Sequence, residues 1–297
     1  MTVLFRDGWV DRMRRARQSE EVPPEDFGAQ ATGAPFVISV SGDPTAAGFH
    51  KRVTERGLPL RWVTIEAVAE GRLPLAVLAQ WIAAAPGVYM RDGWATDAGG
   101  HALRAVVAAL CDAHPNVIRA EERSTNWCKP LHVAALAAVP RRVVQLPPTL
   151  MTTRHALAGR VIKNCSSAPS FVLDGDALSG VTEPVLSQAR LRGRELRVHV
   201  LDGVCFAVEV VTTALDYRKE GGAEMRPAAI DAALAADLCD LTEAEGLRFS
   251  GIDLVLTGEG PFVIEVNPMP GYHGYDLAPW GEESITTRLY NRLSRVP

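Results

Sequence analysis

The chain has 297 residues, 47% hydrophobic and 22% charged, with a formal net charge of −4. That length suffices for two or three small domains around a sizeable core. The slight negative balance argues against nucleic acid as the main partner, and no apolar run approaches a membrane span, so neither a nucleic-acid nor a membrane partner is expected. The opening stretch, MTVLFRDGWVDRMRRARQSEE, is basic but has no apolar h-region; it does not read as a secretory signal, and a cytoplasmic location is expected. Five cysteines (Cys111, Cys128, Cys165, Cys205, Cys239) lack CxxC spacing and read as reduced, buried thiols rather than zinc ligands.

Residues 1–34 read as a peripheral arm or linker, with a basic RMRRAR cluster and the Pro- and Gly-rich VPPEDFGAQATGAP. From Phe36 an α/β pattern begins. FVISVS predicts a buried strand. The next helix has Asp43 as N-cap, Pro44 at its first position and Gly57 as its stop. LRWVTIE predicts a second strand, and LPLAVLAQWIAAAP is apolar without a readable strand–helix boundary. GVYMRD is a short strand that ends on Arg91. GGHALRAVVAALCDAHP predicts a helix with Leu103, Val106, Val107 and Leu110 on one face. NVIRA is a further strand.

STNWCKPLHVAALAAV predicts a helix after a polar cap. VVQLPPTLMTT is strand-like but broken by Pro147 and Pro148, and RVIKN is a short β-run carrying Lys163. Two or three strands follow, with a hairpin at Asp202-Gly203. RPAAIDAALAADLCDLTEAEGL predicts a helix starting near Pro227, striped by Ile230, Leu234, Leu238 and Leu241 and stopped by Gly246. GIDLVL and FVIEVNPMPG then predict two strands joined by the turn-like TGEGP, hence an antiparallel pair. Side chains alternate along a strand, so Glu265 and Asn267 share a face while Ile264 and Val266 occupy the apolar one. The pairing brings Asp253, Glu265 and Asn267 together as hard oxygen donors suited to Mg²⁺ with nucleotide phosphates; the alternative is a solvated polar sheet face. ESITTRLYNRLSRV predicts a terminal amphipathic helix.

Four segments in order, SGDPTAAGFHKRVTERGLPL, NWCKPLHVAALAAV…LPPTLMTT, ELRVHVLDGVCFAVEV…ALDYR and GIDLVL…FVIEVNPMPG, resemble the ATP-grasp superfamily. Within it the chain looks most similar to RimK-type amino-acid ligases and microviridin-type (graspetide) peptide ligases. The resemblance implies an α/β (α+β) ATP-grasp fold, with nucleotide held between two sub-domains. The expected division is a pre-grasp α/β domain over 35–122, a central lid sub-domain over 123–190 and a C-terminal grasp sub-domain over 191–297. It implies ATP and Mg²⁺ as cofactors, with Mn²⁺ as a substitute, and a carboxylate activated as an acyl-phosphate. A peptide or amino acid is the expected substrate, and a homodimer accords with the resemblance. A ligase for free amino acids and a phosphotransferase are the alternatives to a peptide ligase.

By the same resemblance, Asp253, Glu265 and Asn267 match the Mg²⁺ ligands. Lys129 and Lys163 match lysines that contact phosphates; each could instead be an ordinary surface or strand-edge lysine. Gln188, Arg190 and Leu191 match the adenine hinge, and Ala189 stands where relatives often carry an acid. Glu195 lies near the nucleotide in the resemblance. Arg197 and Arg218 match arginines that serve the transferred phosphate, the guanidinium suiting planar oxyanions; a cross-strand ion pair is the alternative for Arg197. Arg91, Tyr272 and His273 are weaker substrate-pocket candidates, and His199 reads as a satisfied core or surface histidine. The segment after Lys163, NCSSAPSFVLDGDALSG, lacks the Gly cluster of a usual phosphate lid.

Overall fold

The computed structural model describes residues 33–91, 98–120, 124–153, 158–165, 172–177, 183–212, 223–278 and 283–295. The chain divides into two compact units, one of residues 1–119 with 278–297 and one of residues 120–277. The N-terminal arm, the serines of the Gly-poor lid and Arg218 lie outside the described residues.

In the first unit, β1 (Phe36–Ser39), α1 (Pro44–Thr54), β2 (Arg61–Thr64), α2 (Ile65–Ala69), α3 (Leu75–Ala84), β3 (Val88–Met90), α4 (Ala98–Asp112) and β4 (Val117–Ile118) follow in order. The strands form a parallel sheet of order β2-β1-β3-β4. Asp43 caps α1 through bonds from Thr45 N (2.8 Å) and Ala46 N (2.9 Å), as expected of an acid before a first-turn proline. The second strand is shorter than expected, because Thr64 caps α2 and Ile65 is already helical. The apolar LPLAVLAQWIAAAP is helical, with Leu78 and Ile82 buried. On α4 the buried face is Val107, Ala108 and Cys111, whereas Val106, expected inward, is 44% exposed. These side chains close on Phe36, Ile38, Val63, Val88 and Met90 in one core.

The second unit holds α5 (Lys129–Ala138), β5 (Thr149–Thr152), β6 (Arg160–Asn164), β7 (Val172–Asp174), β8 (Val185–Ala189), β9 (Arg194–Leu201), β10 (Val204–Val211), β11 (Glu224–Ala228), α6 (Ala232–Ala244), β12 (Phe249–Thr257) and β13 (Gly260–Asn267). A 3-10 turn over Thr125–Trp127 and an extended Cys128 precede α5, so the predicted helix begins later than its polar cap. One antiparallel sheet has the order β5-β8-β6-β7 and the other β11-β10-β9-β12-β13. The Asp202-Gly203 hairpin forms with both residues at positive φ (45° and 74°), the primed-turn geometry. Pro227 does not start the helix. It lies in β11, an edge strand that tolerates the missing N–H, and Asp231 caps α6 instead by accepting from Leu234 N at 2.8 Å. Ile230 therefore falls before the helix, and Leu234, Leu238 and Leu241 pack under Leu196, Val198, Val200, Ile252 and Leu254.

The C-terminal helix α7 (Ile285–Leu293), capped by Ser284, packs in the first unit; Asn116 Nδ2 donates to Arg292 O at 3.0 Å. Among the described residues no helix is long and apolar enough to cross a membrane. All five cysteines are free thiols, but only Cys111 is fully buried; the other four are half-buried, a correction to the expectation of buried thiols.

Candidate active site on the β9–β12–β13 face

Strands β12 and β13 pair antiparallel, with Asp253 opposite Glu265 and Gly251 opposite Asn267. On the other side of β12, Arg197 stands opposite Asp253 and His199 opposite Gly251. Residues directly opposite across a ladder share a face. Arg197, Asp253, Glu265 and Asn267 therefore project together, and Val198, Ile252 and Val266 fill the core behind them. The ladder slips between Asp253 and Leu254, so that Leu254 meets Val263. This bulge corrects one expectation: Val263 joins Val266 in the core, and Ile264 is only half-buried. Bulges of this kind re-aim side chains beside active sites.

Asp253 and Glu265 each meet a cation. Arg197 Nη1 lies 2.7 Å from Asp253 Oδ1, with side-chain exposures of 7% and 33%. Lys129 Nζ lies 2.6 Å from Glu265 Oε1 and 2.9 Å from Asn126 Oδ1. Burial alone would raise the Glu265 carboxyl, but the charges of Lys129 and Lys163 and the bonds from Lys129 and Asn126 outweigh it. They hold the group well below the usual carboxylate range. Lys163, on β6 of the other sheet, thus acts on the same carboxylate, and Lys129 N donates to Cys165 O (2.8 Å) at the end of β6. Much of the Glu195 side chain reaches solvent, yet partial desolvation and the Asp253 charge push its carboxyl upward. Asn267 Oδ1 accepts from Met269 N (3.0 Å), turning the chain into Pro270-Gly271.

His199 is sealed beside this face, and its Nε2 donates to Gly271 O at 3.4 Å. Burial, with the nearby Arg197 charge, holds its pKa well below the ordinary value, so it is a neutral core histidine. Tyr272 is buried edge-on to Phe249 at 5.6 Å, whereas His273 is exposed. The hinge candidates lie on and just beyond β8. Gln188 is buried and donates to Thr149 Oγ1 at 3.2 Å, Arg190 pairs with Asp174 at 2.9 Å, and Leu191 is half-buried. Arg91 belongs to the first unit. It is 5% exposed and bonded to Asp43 Oδ2 (2.7 Å) and Tyr89 OH (2.8 Å).

Among the described residues no three His, Cys, Asp or Glu side chains form a metal cluster. A metal here would draw on Asp253, Glu265 and the Asn267 amide. Two carboxylates and an amide oxygen fit a small hard cation that keeps water or phosphate as its other ligands. Sequence reasoning missed Asn126, which bonds Glu265, and the buried pair His132 and Glu245 behind it. Only His132 carried a signal, as a polar residue inside the apolar run PLHVAALAA; Asn126 and Glu245 stand in polar stretches of the sequence.

No family model matches the chain. A probable alpha-L-glutamate ligase of Sodalis glossinidius (strain morsitans) is 32% identical over 149 residues, 46% of this chain and 50% of that protein. Another of the same name, from Parasynechococcus marenigrum (strain WH8102), is 33% identical over 144 residues, 44% of this chain and 29% of that protein. The chain thus spans half the length of the first and under a third of the second. Among solved structures, the ATP-grasp ligase PsnB complexed with minimal precursor, Mg and ADP superposes with a TM-score of 0.65 at 19% identity, covering 90% of this chain and 98% of that one. The macrocyclase MdnC of Microcystis aeruginosa MRC, bound with precursor peptide MdnA, gives 0.64 at 16% identity, covering 87% and 98%. D-alanine–D-alanine ligase from Bacillus anthracis gives 0.55 at 10% identity, covering 88% and 96%. The chain has the fold of ATP-grasp ligases.

Proposed function

We propose that the chain is an ATP- and Mg²⁺-dependent ligase that activates a carboxylate as an acyl-phosphate and passes the acyl group to an amine or hydroxyl, with a peptide as substrate. The observation that carries this reading is the single sheet face presenting Asp253, Glu265 and Asn267 beside Arg197 and Lys129. In the first step a carboxylate oxygen attacks the γ-phosphorus, the bond to the β–γ bridging oxygen breaks, and ADP leaves. In the second, the nucleophile attacks the acyl carbon, the carbon–oxygen bond to phosphate breaks, and the nucleophile's proton departs with solvent or phosphate.

Such chemistry needs charge neutralisation, alignment and exclusion of water rather than a covalent nucleophile. Lys129 and Lys163 are the candidates for holding phosphate oxygens, and Arg197 for orienting the transferred phosphoryl group or the acyl-phosphate. Arg218 is assigned to the same group by the resemblance. Gln188, Arg190 and Leu191 would carry the base, largely through backbone groups, and Glu195 would lie near the nucleotide. Mg²⁺ bound by Asp253, Glu265 and Asn267 would neutralise charge building on the phosphates; Mn²⁺ would suit the same donors. Tyr272 is buried, so of the pair after the Pro-Gly turn His273 is the better placed to meet an acceptor. An ATP-consuming tailoring reaction of this type belongs in the cytoplasm, in the assembly of a peptide natural product.

The peptide substrate is supported by the precursor peptides bound to structural neighbours. A ligase for free amino acids is the second reading, favoured by the curated relatives named for glutamate ligation. The test is ADP release from ATP and Mg²⁺ over a panel of amino acids and short peptides rich in Thr, Glu, Asp and Lys, with mass analysis of products. Loss of one water from a peptide supports the first reading, and condensed amino acids the second. A stable phosphorylated product would mean a phosphotransferase. Asp253→Asn with Glu265→Gln should lower turnover about a hundredfold or more; unchanged turnover would sink the metal assignment.

A further inference from the structure

Strand β13 is the edge of its sheet, so its outward backbone groups need partners from outside the ladder. Near its start they come from main chain: Gln145 N donates to Pro261 O (2.8 Å), and Gln145 O accepts from Val263 N (2.9 Å). At Val266 they come from buried side chains. Asn126 Nδ2 donates to Val266 O (2.6 Å) and to Glu265 Oε1 (3.0 Å). Val266 N donates to His132 Nε2 at 3.1 Å.

That last bond fixes the histidine tautomer. Nε2 accepts, so the ring proton sits on Nδ1. Nδ1 lies 3.0 Å from Thr125 Oγ1 and 3.3 Å from Glu245 Oε1. Thr125 Oγ1 in turn donates to Glu245 Oε1 at 2.7 Å. Glu245 is held by two more bonds, from Ser124 Oγ (2.9 Å) and Thr125 N (2.7 Å). Donors and acceptors therefore match from Glu245 through Thr125 and His132 to the backbone of Val266. Both His132 (1% exposed) and Glu245 (3%) are sealed from water.

We propose that Asn126, His132 and Glu245 are positioning residues for the metal–nucleotide site: they grip Val266, the one residue between Glu265 and Asn267, and so set the spacing of the carboxylate and amide offered to Mg²⁺. The inference rests on the nucleotide-and-metal reading above. A core that merely needed filling would not require matched donors and acceptors on both backbone groups of that residue. The chain-distant origin of the three, from the segment before α5, from α5 itself and from the end of α6, gives the grip a fixed frame outside the sheet. Groups of this kind that orient ligands without touching the ion typically change metal affinity by about 10–100-fold when removed.

The experiment is calorimetric binding of the ATP analogue AMPPNP to the full chain as Mg²⁺ is raised, with thermal melting recorded alongside. His132→Phe removes the acceptor for Val266 N, and His132→Gln keeps an oxygen near the Nε2 position. The expected result is that His132→Phe needs about tenfold more Mg²⁺ for half-maximal binding, while metal-free AMPPNP binding is unchanged, and that His132→Gln recovers most of the loss. If His132→Phe does not fold, Asn126→Ala takes its place; because it frees Lys129 Nζ as well as Val266 O and one bond to Glu265, its Mg²⁺ dependence is read relative to its own metal-free binding, with the same tenfold rise expected. A wild-type Mg²⁺ dependence retained in the variants overturns the inference alone, as does a fall in melting temperature and metal-free binding without a change in Mg²⁺ dependence. A wild-type chain whose AMPPNP binding ignores Mg²⁺ overturns both the inference and the reading beneath it.

Discussion

Each unit of the chain contains a buried arginine paired with an aspartate at 2.7 Å, and the two pairs differ in what surrounds the acid. In the first unit, Asp43 is 7% exposed; it caps α1 through Thr45 N and Ala46 N and holds Arg91, whose Nη1 also meets Tyr89 OH. Arg91 N extends the sheet by bonding Ile38 O at 2.8 Å. In the second unit, the Asp253 side chain is 33% exposed, faces Glu265 across the ladder and sits at a bulge. Asp43 has its charge committed to helix and sheet at once. Asp253 is open to water on one side, so a ligand can compete for it without dismantling the fold. A sealed ion pair is a structural joint, whereas a half-open one is a site.

The sharpest way to break that distinction is to cut both pairs in the same manner. Arg91→Met should leave Asp43 buried and uncompensated and cost about 3–5 kcal/mol of stability, read by chemical denaturation. Arg197→Met leaves an acid that water can reach, so its stability loss should be well under half of that. Its cost should fall instead on turnover, about a hundredfold in ADP release. If Arg91→Met melted like wild type yet raised KM for the acceptor, Arg91 would be a substrate residue and the comparison would fail. Lys163→Ala should weaken AMPPNP binding with little change in melting temperature; normal binding would remove that lysine from the nucleotide site.

The strand pair was legible because two signals agreed: alternation placed Glu265 and Asn267 on one face, and TGEGP is turn chemistry. The bulge was not, since Ile264 and Val263 are equally apolar and only three-dimensional packing decides which is buried. The same limit hid the outward turn of Val106 on α4. Pro227 misled because proline opens helices and edge strands alike; Asp231 was the better start signal. The grip on Val266 was illegible for another reason. Glu245 and His132 are 113 residues apart, and a single sequence carries no mark of partners that distance brings together.

Sealed carboxylates also occur in the second unit, which allows the comparison within one body. Asp237 is fully buried and accepts from Arg142 N, Val143 N and Val144 N as well as from Arg142 Nη1. Burial would raise its pKa, but those bonds pull it down to about 2. Glu245 is likewise raised by burial yet drawn down to about 2 by the bonds from His132 and Thr125. Both folded values lie below the unfolded ones. Their stabilisation is therefore complete above the ordinary carboxylate pKa, near pH 4–4.5, and is lost as pH falls toward 2. Asp237 should contribute on the order of 2 kcal/mol at neutral pH. Asp237→Asn should flatten the fall in melting temperature between about pH 4.5 and 2.5. An unchanged slope would mean that this acid is not the joint its bonds describe.

The smallest expected effect tests whether the open pair is shaped for a ligand. Gly251 lies between Arg197 and the Pro-Gly turn, opposite both His199 and Asn267. A Cβ there would run into the Arg197 guanidinium and come within 2.6 Å of Pro270 Cβ. The backbone of Gly251 is ordinary extended strand, so the requirement is for space and not for unusual φ. Arg197 cannot retreat toward the core, because Val198 and Ile252 fill it from behind. In Gly251→Ala the guanidinium must swing outward, away from Asp253, or the turn must shift and carry Asn267 with it. Either movement displaces the Arg197 guanidinium or the Asn267 amide while most of the core stays packed. The expected result is a loss of about tenfold in turnover, equal to about 1.4 kcal/mol, with a stability loss of about 1–3 kcal/mol. A variant that kept full turnover despite that stability loss would show that Arg197 need not sit where Asp253 holds it, and that the half-open pair is a joint after all.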